Sequence, residues 1–144
     1  MANRPNGEVS MICLPHPESV EELHSFYETM DEQMHLNIWH CKPVHTYGIE
    51  KVHAMPGQGV TSMFTFGKWF GGSLAALGAM FDGVRLVSPR EWQKHYGMKK
   101  EKGETSTSWK NRLKAKAQEI FPDNHITLKT ADAVLIANYL YETL

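Results

Sequence analysis

The chain has 144 residues, 42% apolar and 22% charged, with a net charge of −1, which is enough for one compact domain and too little for two ordinary ones. Met1 to Gly7 is polar and lacks the apolar core of a secretory leader. The longest uncharged apolar run, Trp69 to Phe81, is 13 residues, short of the roughly 20 needed to span a bilayer, so no membrane partner is expected. Cys13 and Cys41 have neither metal-type nor redox-type spacing, and two reduced, buried thiols in a cytoplasmic protein are the expectation. Residues 1–36 hold seven acids against one base, and residues 85–118 hold ten bases against three acids. This asymmetry fits either a basic binding face or a solvated loop and helix.

In chain order, Glu8 to Leu14 predicts a short strand, preceded by the hairpin-turn pair Asn6-Gly7. Only five residues lie before that turn, which suggests that upstream pairing is missing. Pro17-Glu18-Ser19 opens a helix with Val20, Leu23, Phe26/Tyr27, Met30 and Met34 at helical spacing. Asn37 to Cys41 and Val44 to His53 predict strands, and Met55 to Gly59 a loop. A helix over Val60 to Met80 carries the stripe Met63, Phe66, Phe70, Leu74 and Leu77. Its glycines 67, 71, 72 and 78 predict close backbone packing.

Val84 to Val87 predicts another strand. Ser88-Pro89 then supplies an N-cap and a proline at the first position of a helix over Pro89 to Tyr96. Gly97 to Ser108 is a Lys-rich connection expected to be mobile. Ser108 to Phe121 predicts an amphipathic helix with Leu113, Ala117 and Ile120 inward, stopped by Pro122-Asp123-Asn124. Thr130 is the expected cap of a last helix, apolar nearly all round from Ala131 to Leu140 and therefore buried. Strands alternating with helices predict a mostly parallel α/β sheet in a single domain spanning 1–144.

Two acids stand out. Glu50 falls near the C-terminal end of its predicted strand, where open α/β sheets place ligands. Asp132 falls in the first turn of a buried helix and is that helix's only acid before Glu142. Taken singly, Glu50 is equally readable as a surface acid paired with Lys51 or Lys68, and Asp132 as a carboxylate that complements the helix dipole. Taken together, two buried carboxylates converging on Mg²⁺ would each be compensated.

The stretch Gly48-Ile49-Glu50-Lys51-Val52-His53-Ala54-Met55-Pro56-Gly57-Gln58-Gly59, followed by Phe66-Gly67 and Gly71-Gly72, resembles the second catalytic strand and glycine-rich helix of phage RuvC-like Holliday junction resolvases, in the RNase H-like superfamily. Val87-Ser88-Pro89-Arg90-Glu91-Trp92 is similar to the family's Val-Ser/Thr-Pro-x-x-Trp segment. Lys110 with Ile120-Phe121-Pro122 resembles its Lys-to-Phe-Pro helix, and Thr130 to Tyr139 its closing Ala-Asp-Ala-Leu-Leu-Ile-Ala-x-Tyr helix. The four blocks run in family order over residues 44–139.

The resemblance implies an RNase H-like (RuvC-type) α/β fold, a mixed sheet with flanking helices, and a homodimeric endonuclease acting on branched DNA. Its two Mg²⁺ or Mn²⁺ ions would lie about 4 Å apart. It implies Glu50 and Asp132 as catalytic metal ligands, and Lys94, Lys99, Lys100, Lys102 and Lys110 as DNA-phosphate contacts, with no small-molecule cofactor. His53 is equally a base or phosphate contact or a plain strand-end residue.

The family's first two strands, with the first metal aspartate, have no counterpart before Asn6-Gly7. Asp31, in a predicted helix, is a poor substitute, and Leu128 and Lys129 stand where the family often carries a further ligand. The expectation is an impaired or inactive nuclease as this chain stands, through a start codon placed too late, a degraded gene, or a partner chain that supplies the strand. A catalytically dead nucleic-acid-binding module and an unrelated α/β domain are the alternatives.

Overall fold

A computed structural model describes residues 2–3, 9–10, 19, 22, 25–29, 32, 47–53, 57–80 and 84–143. The chain is mixed α/β and divides into two compact units, one formed by Met1–Cys13 with Val87–Leu144 and the other by Leu14–Leu86.

In the first unit, strand β1 (Ala2–Asn3) pairs antiparallel with β2 (Val9–Ser10), Ala2 opposite Ser10 and Asn3 opposite Val9. The short segment before Asn6-Gly7 therefore does supply a pairing strand. The turn itself lies outside the described residues, as do Cys13, Asp31 and the expected strand over Asn37 to Cys41.

Three helices complete this unit. Helix α2 (Pro89–His95) starts as expected: the Ser88 hydroxyl accepts the Glu91 N–H (3.3 Å) and Glu91 Oε2 accepts the Ser88 N–H (2.9 Å), a reciprocal cap with proline just inside it. Helix α3 (Ser106–Ile120) begins two residues before the predicted Ser108, because the Thr105 hydroxyl accepts the Ser108 N–H at 3.1 Å. Past its end, Gln118 donates its amide to the carbonyls of the cap residue Phe121 and of Pro122 and Asn124, which ties the following turn to the helix. Helix α4 (Ala131–Thr143) is capped differently from the expectation. The Thr130 hydroxyl accepts the Thr127 N–H, and the Thr127 hydroxyl takes the N–H groups of Lys129 and Thr130. Both positions are threonine, and either can fold its hydroxyl onto this turn.

The core of the unit lies where α4 packs on α3 and α2. Leu135 (0% exposed), Leu113, Trp92 and Ile126 are its most enclosed large side chains, with Trp109, Ala117 and Phe121 beside them. Ile120, expected inward, is only half-buried. The near-continuous apolar surface of α4 is thus buried on several sides, as its sequence requires.

The second unit holds strand β3 (Tyr47–Glu50), helix α1 (Val60–Met80) and, up to Leu86, strand β4 (Val84–Val87). β3 and β4 form a parallel two-stranded sheet, and α1 is the crossover between them, the βαβ arrangement that parallel pairing demands. Gly57, at φ 85°, makes the turn before α1. Ser19 accepts the Glu22 N–H at 3.1 Å and residues 25–29 are helical, in keeping with a helix opened near Pro17. From it Tyr27 is buried with Leu77 of α1, and the Tyr27 hydroxyl donates to the Ser73 carbonyl at 3.4 Å.

The predicted stripe of α1 is only partly realised: Leu77 is buried and Met63, Phe70 and Leu74 are half-buried, but Phe66 is exposed. The close packing expected of its glycines is absent at three of them, since a Cβ at Gly67, Gly71 or Gly78 would meet nothing within 4 Å. No helix among the described residues is long and apolar enough to cross a membrane.

Candidate functional site

Asp132 lies in the first turn of α4, where the helix dipole favours a carboxylate. Its side chain is 25% exposed and its two oxygens differ. Oδ2 accepts from the Lys110 ammonium, which reaches across from α3. Oδ1 is buried and has no hydrogen-bond partner, the sole such side-chain atom among the described residues. A buried, unsatisfied anionic oxygen costs about 1–3 kcal/mol unless something positive meets it. One oxygen held by an ammonium and one open lone-pair site make a group able to take a cation.

Glu50 is the last residue of β3, as expected, half-buried and not a free carboxylate. Lys51 and His53 follow it, both exposed and outside the strand. Glu50 and Asp132 belong to different compact units.

The five lysines do not behave alike. Lys94 on α2 and Lys99, Lys100 and Lys102 on the connection between α2 and α3 are exposed, with no ion pair to any of the described residues. Lys110 is instead committed to Asp132, a role that charge counting did not reveal because the pair spans 22 positions.

The connection expected to be mobile is a built loop. At its start Gly97 (φ 63°) donates to the Lys94 carbonyl at 3.0 Å, and the Met98 N–H to the Gln93 carbonyl at 2.8 Å, a helix-closing pattern that needs a left-handed residue. At its end the Glu104 carboxylate accepts the Glu101 N–H (3.0 Å), the Ser108 hydroxyl (3.2 Å) and both arms of a contact with Arg112 Nη1 (3.0 and 3.2 Å). The backbone N–H of Glu101 foremost, and Arg112 and Ser108 with it, hold the Glu104 carboxyl below the usual range. Arg112 also lies over the Trp109 ring, 5.3 Å from its centre.

A second polar group that the sequence did not signal joins α2 to α4. The Tyr96 hydroxyl donates to the Leu135 carbonyl (3.0 Å) and accepts from Asn138 (3.0 Å). Asn138 also donates to Glu142 (2.9 Å), which accepts from His95 Nε2 (2.6 Å). Burial pushes the Tyr96 hydroxyl up to about 12 against the opposing Asn138 hydrogen bond, with the Glu142 charge adding to the rise. Glu142 is held below its ordinary range, first by the His95 hydrogen bond and then by Asn138.

Among the described residues, no three His, Cys, Asp or Glu side chains gather around one point. Mg²⁺ is commonly held by one or two carboxylates together with waters and phosphate oxygens, so the open Asp132 oxygen fits it as a single ligand. No protein-family model matches this chain and no curated protein matches it.

Proposed function

We propose that this chain is an RNase H-like, RuvC-type domain that binds branched DNA and is built to cut it, with Mg²⁺ or Mn²⁺, by phosphodiester hydrolysis as Holliday junction resolvases do, its cutting impaired in the chain as it stands by the missing first metal aspartate. The observation that carries this is Asp132: a half-buried carboxylate at a helix start, with one oxygen on a lysine and the other enclosed and unpartnered. Such an oxygen is stabilised by a divalent cation. Glu50, at the end of a parallel strand, is the other carboxylate that the family resemblance assigns to metal. The metal would supply an activated water and charge stabilisation at the leaving oxygen.

The chain's own residues would do the rest. Exposed Lys94, Lys99, Lys100 and Lys102 would hold phosphates and set the register of the DNA. Lys110 would hold the Asp132 carboxylate in place through its contact with Oδ2. A homodimer would set two such sites on opposing strands of a junction.

A non-cutting DNA-binding module is the second reading, favoured by the same pair: Lys110 already neutralises Asp132 without any metal.

The test uses the full chain and a labelled four-way junction, with a linear duplex as control. The proposal expects binding that strengthens as salt falls, and weak residual Mg²⁺-dependent cutting that rises when the missing first strand is supplied and is lost in Glu50→Gln and Asp132→Asn while binding persists. Binding without cutting selects the second reading. Absence of binding in low salt overturns both.

A further inference from the structure

Three lysines in four positions, Lys99, Lys100 and Lys102, share their loop with two acids, Glu101 and Glu104. On composition alone the acids would cancel much of the positive charge. The structure turns Glu104 away from the lysines, while Glu101 stays exposed and only approaches the same partner. Glu104 sits with its side chain 8% exposed under a two-armed contact from Arg112, and Glu101 Oε1 is 3.9 Å from the same guanidinium. The Arg112 Nη1 also reaches the Lys99 carbonyl at 3.4 Å. The backbone is closed on itself across Lys102 and Gly103 (φ 84°), where the Glu104 N–H donates to the Glu101 carbonyl at 3.1 Å.

We propose that Glu104 and Arg112 are positioning residues: together they lock the 97–105 loop so that Lys99, Lys100 and Lys102 are presented, unpaired and jointly, to a nucleic-acid phosphate backbone. The proposal rests on the phosphate-contact role assigned above to these lysines.

Its physical basis is the cost of order. A flexible loop must give up backbone freedom when it binds, whereas this one is tied at both ends before any ligand arrives. Arg112 suits the brace because one of its nitrogens, Nη1, meets both Glu104 oxygens while the flat face of the guanidinium lies over Trp109, a stacking that a lysine would not reproduce. The arrangement also separates charge by function. Arg112 is occupied by Glu104, and the lysines remain for the ligand.

The sign of one substitution separates positioning from simple charge. Glu104→Gln makes the protein more positive, so screening alone would strengthen its hold on a polyanion. A positioning role requires the opposite. The measurement is equilibrium binding of the full chain to a labelled DNA four-way junction in EDTA, over a series of salt concentrations, with thermal melting of each variant to show that it is folded at the assay temperature. Expected are about tenfold weaker binding by Glu104→Gln and a flatter dependence of log K on log salt, the slope falling by about 0.9 for every phosphate that is no longer neutralised. The double exchange Glu104→Arg with Arg112→Glu, which restores a pair of opposite charges in the same place, should recover part of both.

Glu104→Gln binding as tightly as the native chain, with an unchanged slope, overturns the positioning proposal while leaving the phosphate role intact. A triple Lys99→Ala, Lys100→Ala, Lys102→Ala chain with undiminished affinity, or a native chain that does not bind, overturns the phosphate role and the proposal with it.

Discussion

At the scale of single residues, the Lys110–Asp132 pair concentrates the most consequence in the fewest atoms. Lys110→Ala strips Asp132 of the partner on Oδ2 and leaves a half-buried carboxylate with no counter-charge among the described residues. A loss of about 1–3 kcal/mol is expected, larger than that of the double variant Lys110→Ala/Asp132→Asn, in which no charge is stranded. Urea midpoints measure this, and equal midpoints would contradict it. Added Mg²⁺ should raise the midpoint of Lys110→Ala more than that of Asp132→Asn, because a ligand that binds only the folded state stabilises it. Tyr96 makes a separate prediction. Its hydroxyl ionises near 10 when exposed and at about 12 in the folded chain, so between those values the unfolded state alone gives up the proton. Stability is therefore intact below pH 10 and falls as pH rises towards 12. Tyr96→Phe should remove that part of the alkaline loss, as read by denaturation at pH 9 and pH 11.

At the scale of elements, local chemistry decides where helices begin. Ser88→Ala deletes the side-chain acceptor for the Glu91 N–H, leaving it only the Ser88 carbonyl at 3.1 Å, and should cost about 1 kcal/mol, read from thermal melts. The Ser88 cap was legible because Ser-Pro is a purely local pattern, whereas the returning contact of Glu91 was not read from it. The start of α4 was less so: Thr127 and Thr130 are both competent, and the turn they share decides which hydroxyl meets which N–H. The loop before α3 was legible least of all. Its lysines and glycines suggested a loose connection, but Gly97 and Gly103 serve defined left-handed positions, and the brace depends on Arg112, eight residues beyond Glu104. The Glu104 carboxyl, held low, contributes stability that is present above the ordinary carboxylate range and disappears as pH falls through its lowered value. Binding that depends on the brace should weaken in the same direction.

For the molecule as a whole, the proposed function rests mainly on the unit containing residues 87–144. It holds Asp132, the five lysines of interest and a core running from Val87 to Leu140. Its excess of basic residues is presented by an ordered backbone. Reversing charge at Lys99 and Lys100 should weaken binding to all DNA sequences alike and lower the salt slope by about 2, since phosphate contacts carry no sequence information. An unchanged affinity would remove this surface from the account. Glu50 belongs to the other unit, at the end of the parallel strand β3.

The sequence by itself determined the mixed α/β character, the alternation of strands and helices, the buried last helix and the Ser88 cap with Pro89 at the start of α2. Each follows from periodicity or from interactions within a few positions of the chain. Tertiary structure alone decided that Lys110 meets Asp132, that Asp132 Oδ1 is enclosed without a partner among the described residues, and that Arg112 takes Glu104 away from the loop's lysines. It also decided that three glycines of α1 face open space. These outcomes depend on which surfaces meet once helices pack, and side chains 8 to 47 positions apart carry no mark in the sequence of having chosen one another.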